Sequence, residues 1–168
     1  IEIPSSITDV VEKRLGLLDE EKREVMSIAS VIGKEFDFDV LMEVSGGDED
    51  ELLDLMDELL RTRLIGEDKA SKGDKYYFAH VKIREVLYEK INARRRRSLH
   101  RKIGEVIEEL YEDKLEKYVG ELAYHFYRGE KEEKAIEYSL RAGERAKRIY
   151  ANKEAIDFYK MAIELLEK

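Results

Sequence analysis

The chain lacks several things that would narrow its function. It has no cysteine in 168 residues, which excludes a disulfide, a thiolate metal site and a cysteine nucleophile. Its three histidines, His80, His100 and His125, are widely separated and lack metal-ligand spacing. No G-x-x-x-x-G-K-[ST] run occurs, so nothing cradles a nucleotide phosphate in the manner of a P-loop. No Ser-His-Asp set follows from spacing. No apolar run approaches the ~20 residues of a membrane-spanning helix, and no leader pattern is present, so the expected location is the cytoplasm, with no membrane partner. Positive charge is in deficit: 31 Lys and Arg face 39 Asp and Glu, a net charge of −8. Such a chain is poorly suited to nonspecific binding of nucleic acid, which needs basic groups on phosphates. The expectation is a segment without an active site of its own. Because it opens at Ile1 rather than Met, it reads as a piece of a longer protein.

What is present is apolar residues at 43% and charged residues at 42%, enough for one or two small solvated domains. Ile3 to Ile7 starts a helix, with Ser6 and Asp9 spaced as a capping box. Residues 1–18 read as a connector helix. Asp19 caps a second helix that buries Val25, Ile28, Ala29 and Ile32 and stops at Gly33. Phe36-Asp37-Phe38-Asp39 is read as the start of a short helix through Val44. Asp48 opens another, with Leu52, Leu55, Met56, Leu59 and Leu60 as its stripe. Leu64–Glu67 and Tyr76–Ala79 read as strands around a polar tip, Lys69 to Lys75, that contains Gly73. Three helices and a β-hairpin over 19–92 make a winged-helix plan. In that plan the helix opened by Asp48 would meet DNA, yet it carries seven carboxylates between Asp48 and Glu58. The reading is a protein-packing module, and a DNA-binding winged-helix transcription factor is the alternative.

Residues 93–168 read as α-helical and repeat-like. The first helix, Ala93 to about Tyr111, has Leu99, Ile103, Val106, Ile107 and Leu110 on one face. It opens with Arg94, Arg95, Arg96 and Arg97, followed by Arg101. These five form a candidate interaction patch for a phosphate, a nucleic acid or an acidic protein surface, or else a solvated, salt-bridged face. Arginines at a helix start oppose the macrodipole, so nearby carboxylates are expected, with the acidic Asp48 helix as their source. Ala135, Tyr138, Ala142, Ala146, Ile149 and Tyr150 read as the face of one continuous helix. Ala155, Phe158, Tyr159, Ala162 and Leu166 read as the face of the last. Ala135 and Ala155 are 20 residues apart rather than the ~34 of an ordinary tetratricopeptide repeat, which suggests a middle helix shared by two degenerate units. The last helix is expected to leave a face that a further repeat would cover.

The stretch Tyr76 to Ile91 joins the two halves. An alternating aromatic strand gives way at Ala79-His80 to a helix with Ile83, Val86, Leu87 and Ile91 on one face. A histidine at that corner stands beside free backbone N–H groups, a place where an anion can sit. The residues Phe78-Ala79-His80-Val81-Lys82-Ile83-Arg84-Glu85-Val86-Leu87-Tyr88, the arginine-rich helix and the alanine-rich repeats together resemble the C-terminal region of signal-transduction ATPases of the STAND class. The resemblance implies a mainly α fold, a winged helix followed by a tetratricopeptide-like solenoid. It implies a nucleotide-binding domain upstream, to which ATP or ADP binds, and no cofactor held by this chain alone. It further implies that His80 contacts the ADP phosphate, that the winged helix is a lid sensitive to nucleotide state, and that the repeats bind a protein partner. Relatives carry Met-His-Asp at this corner, whereas Ala79 and Val81 flank the histidine here.

Overall fold

The computed structural model describes residues 6–168. Ile3, Pro4 and Ser5, part of the expected first helix start, lie outside the described residues. Two compact units partition the chain, one through Arg96 and one from Arg97 to Lys168.

The first unit contains α1 (Ile7–Gly16), α2 (Glu20–Ile32), β1 (Glu35–Asp37), α3 (Phe38–Ser45), α4 (Glu49–Thr62), β2 (Ile65–Glu67), β3 (Lys75–Phe78) and α5 (Val81–Lys90). Side-chain caps set the helix starts. Ser6 Oγ accepts from the Asp9 N–H at 3.3 Å, Asp19 from Lys22 at 2.9 Å and Asp48 from Glu51 at 3.2 Å. The three strands form an antiparallel sheet in the order β1-β3-β2, with Phe36 opposite Tyr76 and Ile65 opposite Phe78. β1 corrects the sequence reading, which began a helix at Phe36. The helix begins only at Phe38, because Phe36 stacks on Tyr76 at 6.0 Å and packs on Phe78 at 5.3 Å, contacts that an extended backbone supplies. Asp37 then caps α3 through the Asp39 N–H. The polar tip holds a 3-10 turn, Lys69–Ser71, capped by Asp68. The core of this unit includes Met26, Val31, Leu41, Met56, Leu59 and Leu64, all essentially solvent-free. Each such side chain contributes about 1.5–3 kcal/mol by leaving water. α1 packs on α5 with Val11 and Leu15 turned inward.

α6 (Ala93–Leu110) begins in the first unit and continues into the second, where α7 (Leu115–Arg128), α8 (Glu132–Arg148) and α9 (Asn152–Leu166) follow. This second core is built from small residues and rings. A Cβ on Gly104 would lie 2.8 Å from the Phe126 ring, and one on Gly143 would lie 2.8 Å from Tyr159. Both positions therefore need glycine for close approach. The α7–α8 and α8–α9 turns are the same structure 20 residues apart. Lys131 N–H donates to Phe126 C=O at 2.9 Å and Ala151 N–H to Ala146 C=O at 2.8 Å. The middle residues, Glu130 and Tyr150, are left-handed at φ 59° and 61°. The 20-residue spacing is thus the seventeen residues of α8 plus a three-residue turn.

Several faces differ from the expected stripes. α8 stops at Arg148, and Ile149 and Tyr150 are exposed in the turn rather than buried on a helix. On α9, Leu165 is buried and Leu166 exposed. On α6 the buried positions are His100, Ile103, Gly104 and Ile107, while Leu110 faces solvent. Packing against the Phe126 ring selects the Gly104 side of α6, which rotates Leu110 outward.

Candidate functional site

β3 ends in a clamp. Phe78 N–H donates to Lys34 C=O at 3.1 Å and Ala79 N–H to Leu64 C=O at 2.9 Å, so the chain is held on both sides where it turns. His80 follows with extended backbone, φ −145° and ψ 141°, and is the N-cap of α5. Its Nδ1 accepts from the Lys82 N–H at 3.0 Å. In the neutral ring the proton therefore sits on Nε2, on the ring edge away from the cap. The sequence reading expected the imidazole and the first helical N–H groups to be offered together. The ring instead takes one of those N–H groups for itself and keeps a single donor for any outside acceptor. His80 and Ala79 are exposed, and Tyr77 and Val81 beside them are about two-fifths exposed, at 42% and 43%. The Lys82 ammonium is held by Glu85 at 3.0 Å, and that hydrogen bond raises its pKa, so it stays cationic.

The rest of the motif is used internally. Arg84 Nε donates to the Ser30 carbonyl of α2 at 2.8 Å. The guanidinium carbons of Arg84 and Arg96 lie 5.4 and 4.6 Å from the centroid of the Tyr88 ring, and Arg96 also donates to the Tyr88 carbonyl at 3.0 Å. Two cation–π contacts of about 0.5–2 kcal/mol each bind the start of α6 to α5. Arg84 and Arg96 thus meet on the one Tyr88 ring.

The arginine run divides its work in the same way. Asn92 Oδ1 accepts from the N–H groups of Arg94 and Arg95, at 2.9 and 3.4 Å, and satisfies the helix start. The Arg94 side chain is exposed. Arg95 pairs with Glu24 on α2, so the compensating carboxylate comes from α2 and not from the acidic α4. Arg97 lies 3.9 Å from Glu130. Arg101 is half-buried against Gly129, and its Nε is buried without a hydrogen-bond partner. On α4 all seven carboxylates from Asp48 to Glu58 are exposed, and Glu58 is paired with Lys22 at 2.8 Å. Nearby, Asp39 is pushed above the usual carboxylate range, first by burial and then by Asp37, Asp74, Glu49 and Glu43.

Sequence reasoning missed one cluster. His100 on α6 and His125 on α7 are both about 1% exposed, and their Nδ1 atoms lie 2.9 Å apart. At that distance one ring donates and the other accepts. Tyr124 meets both rings, edge-on to His100 at 5.5 Å. A signal existed, since each histidine lies on its helix's apolar stripe, His100 three and seven residues before Ile103 and Ile107, and His125 between Leu122 and Phe126. Two imidazoles are short of a metal site, and no group of three or more His, Cys, Asp or Glu able to hold a metal occurs among the described residues. No helix among them is long and apolar enough to cross a membrane. No protein-family model, no curated protein and no solved structure matches this chain.

Proposed function

We propose that the chain is a regulatory, non-catalytic segment of a STAND-type signalling ATPase. In this reading the first unit is a winged helix that closes as a lid over nucleotide held by an upstream domain. The second unit is a tetratricopeptide-like platform for a protein partner, and the protein works in the cytoplasm. The observation that carries the reading is the His80 corner. A clamped strand end presents an exposed imidazole whose Nδ1 serves the cap and whose Nε2–H is left for another acceptor, next in the chain to exposed Tyr77, Ala79 and Val81. An exposed apolar rim around one donor suits a surface that another domain covers, and ADP phosphate is an acceptor that such a donor meets well. The β1-β3-β2 sheet with α2, α3 and α4 supports the winged-helix reading. The twice-repeated turn supports a helical array.

The DNA-reading alternative asks α4 to enter a groove lined by phosphates with its exposed face covered by carboxylates, which repulsion opposes. The test is ADP titration of the natural full-length protein. His80→Ser keeps an oxygen acceptor for the α5 cap and removes the Nε2–H. A hydrogen bond to a charged group contributes about 1.5–3 kcal/mol, so ADP affinity should fall by about ten- to a hundredfold. Unchanged ADP affinity in a folded variant refutes the role. Salt-sensitive, nanomolar duplex binding by the unmodified chain would favour the DNA-reading alternative.

A further inference from the structure

Between α2 and α4 the first unit has a groove of about 670 Å³ that the His80 reading does not use. Its floor is apolar: Val25 and Ile28 from α2, Leu52 and Leu55 from α4. Each pair is spaced by three residues, so the floor is about one helical turn long. Carboxylates rim it, Glu20, Glu21 and Glu24 on the α2 side, Asp48 and Glu51 on the α4 side, against a single cation, Arg95. Asp48 is spent on the α4 cap and Glu24 on Arg95. Glu20, Glu21 and Glu51 are exposed and form no ion pair among the described residues. The helix dipoles explain why acids stand at the starts of α2 and α4. They do not explain the groove itself, at whose bottom the tips of Val25, Ile28, Leu52 and Leu55, each 5–8% exposed, reach the surface.

The chain itself illustrates what the rim accepts. Arg95 reaches from the start of α6 to Glu24, a guanidinium placed at one edge of the groove. We propose that this groove is a docking site for a short basic amphipathic helix of a protein partner, whose apolar anchor fills the floor while Lys or Arg residues meet Glu20, Glu21 and Glu51. Arg95 is then an internal competitor that holds Glu24 until the partner arrives. Charge excludes nucleic acid and anionic membrane from the same place, since both would face the carboxylates. The inference concerns a different face from the His80 corner and stands or falls independently of it.

The probe is a fluorescein-labelled helical peptide of Lys and Ala carrying Leu at i and i+4, titrated into the chain by anisotropy and by amide chemical shifts. Saturable binding is expected, with shifts centred on Val25, Ile28, Leu52 and Leu55. Replacing both Leu with Ser, or reversing Glu20, Glu21 and Glu51 to Lys, should weaken it by roughly tenfold or more. The milder set Glu20→Gln, Glu21→Gln and Glu51→Gln should act in the same direction and guards against a reversal that disturbs folding. Reversing Glu154, Asp157 and Glu164 on α9 should leave it unchanged. Arg95→Ala should strengthen it, because Glu24 is freed. Absence of binding, equal binding of the Ser peptide, or indifference to the rim substitutions overturns the proposal. So does self-association of the chain that protects the same residues, which would make a second copy the occupant.

Discussion

The two units reach stability by opposite routes. The first packs bulky residues: Met26, Leu41, Met56, Leu59 and Leu64 are nearly solvent-free, and on the sheet Phe36 stacks on Tyr76. The second brings helices together over Ala123, Ala135, Ala142, Ala162, Gly104 and Gly143, and fills what is left with Phe126, Tyr138 and Tyr159. It also pairs buried side chains from different helices, His100 with His125, and ties the Tyr138 hydroxyl to Glu108 at 2.5 Å, whereas the buried Ser30 hydroxyl of the first unit donates only within its own helix, to Ser27 C=O. The difference teaches which kind of change each unit tolerates. The first loses by having atoms removed, the second by having atoms added or a polar partner withdrawn.

The sharpest way to break the comparison is to invert it. Leu59→Ala should cost the first unit about 2–5 kcal/mol, the usual range for an emptied core site. Gly143→Leu should cost the second about 1–3 kcal/mol by forcing the Tyr159 ring aside. Urea unfolding with residue-resolved amide exchange reads both. A tolerated Gly143→Leu would mean that α8 and α9 are not held by close approach.

The histidine pair gives the next effect. His100→Leu or His125→Leu alone withdraws a partner from a buried ring nitrogen and should cost about 1–3 kcal/mol, whereas the double replacement should cost less than the sum of the two. Strict additivity in the double-mutant cycle would show that the rings do not depend on each other.

Tyr138 sharpens the comparison through pH. Burial, and then the hydrogen bond to Glu108, push its phenol well above the ordinary value of 10. A folded pKa above the unfolded one means stability is intact below pH 10 and falls as pH rises beyond it, because unfolding then releases a proton. Tyr138→Phe should cost about 1 kcal/mol at neutral pH and should flatten the alkaline decline. An unchanged alkaline slope would assign that decline to other tyrosines, such as Tyr127 or Tyr76, whose pKa values are also raised.

The smallest effect tests the repeated turn. Tyr150 is 87% exposed and left-handed, so its side chain contributes little packing while its Cβ strains the backbone. Tyr150→Gly should stabilise the second unit by up to about 1 kcal/mol. Destabilisation would mean the ring has a role in the turn that its exposure hides.

Much of this was legible in the residues. Asp19 and Asp48 mark helix starts, Gly33 marks a stop, and the stripes on α2 and α4 follow from a 3.6-residue period. Local signals sufficed there because caps and periodicity are local physics. What escaped depends on distant partners. β1 is three residues long and exists because Phe36 meets Tyr76, forty positions on. The histidine pair joins positions 100 and 125. The stop of α8 carries no glycine signal, since Tyr150 takes the left-handed conformation in its place, which is why Ile149 and Tyr150 read as helix. At the His80 corner the sequence located the residue and the helix start. It did not reveal that Nδ1 would serve the cap, because tautomer and ring direction are set by the Lys82 N–H.

The central claim is that the His80 corner becomes covered when nucleotide is bound upstream. Amide hydrogen exchange at His80 to Ile83, measured on the natural full-length protein with and without ADP, tests it most directly. The account predicts slower exchange at these amides in the ADP form, with the protection lost in His80→Ser. Equal exchange rates in the two forms, in a protein that binds ADP, would contradict it.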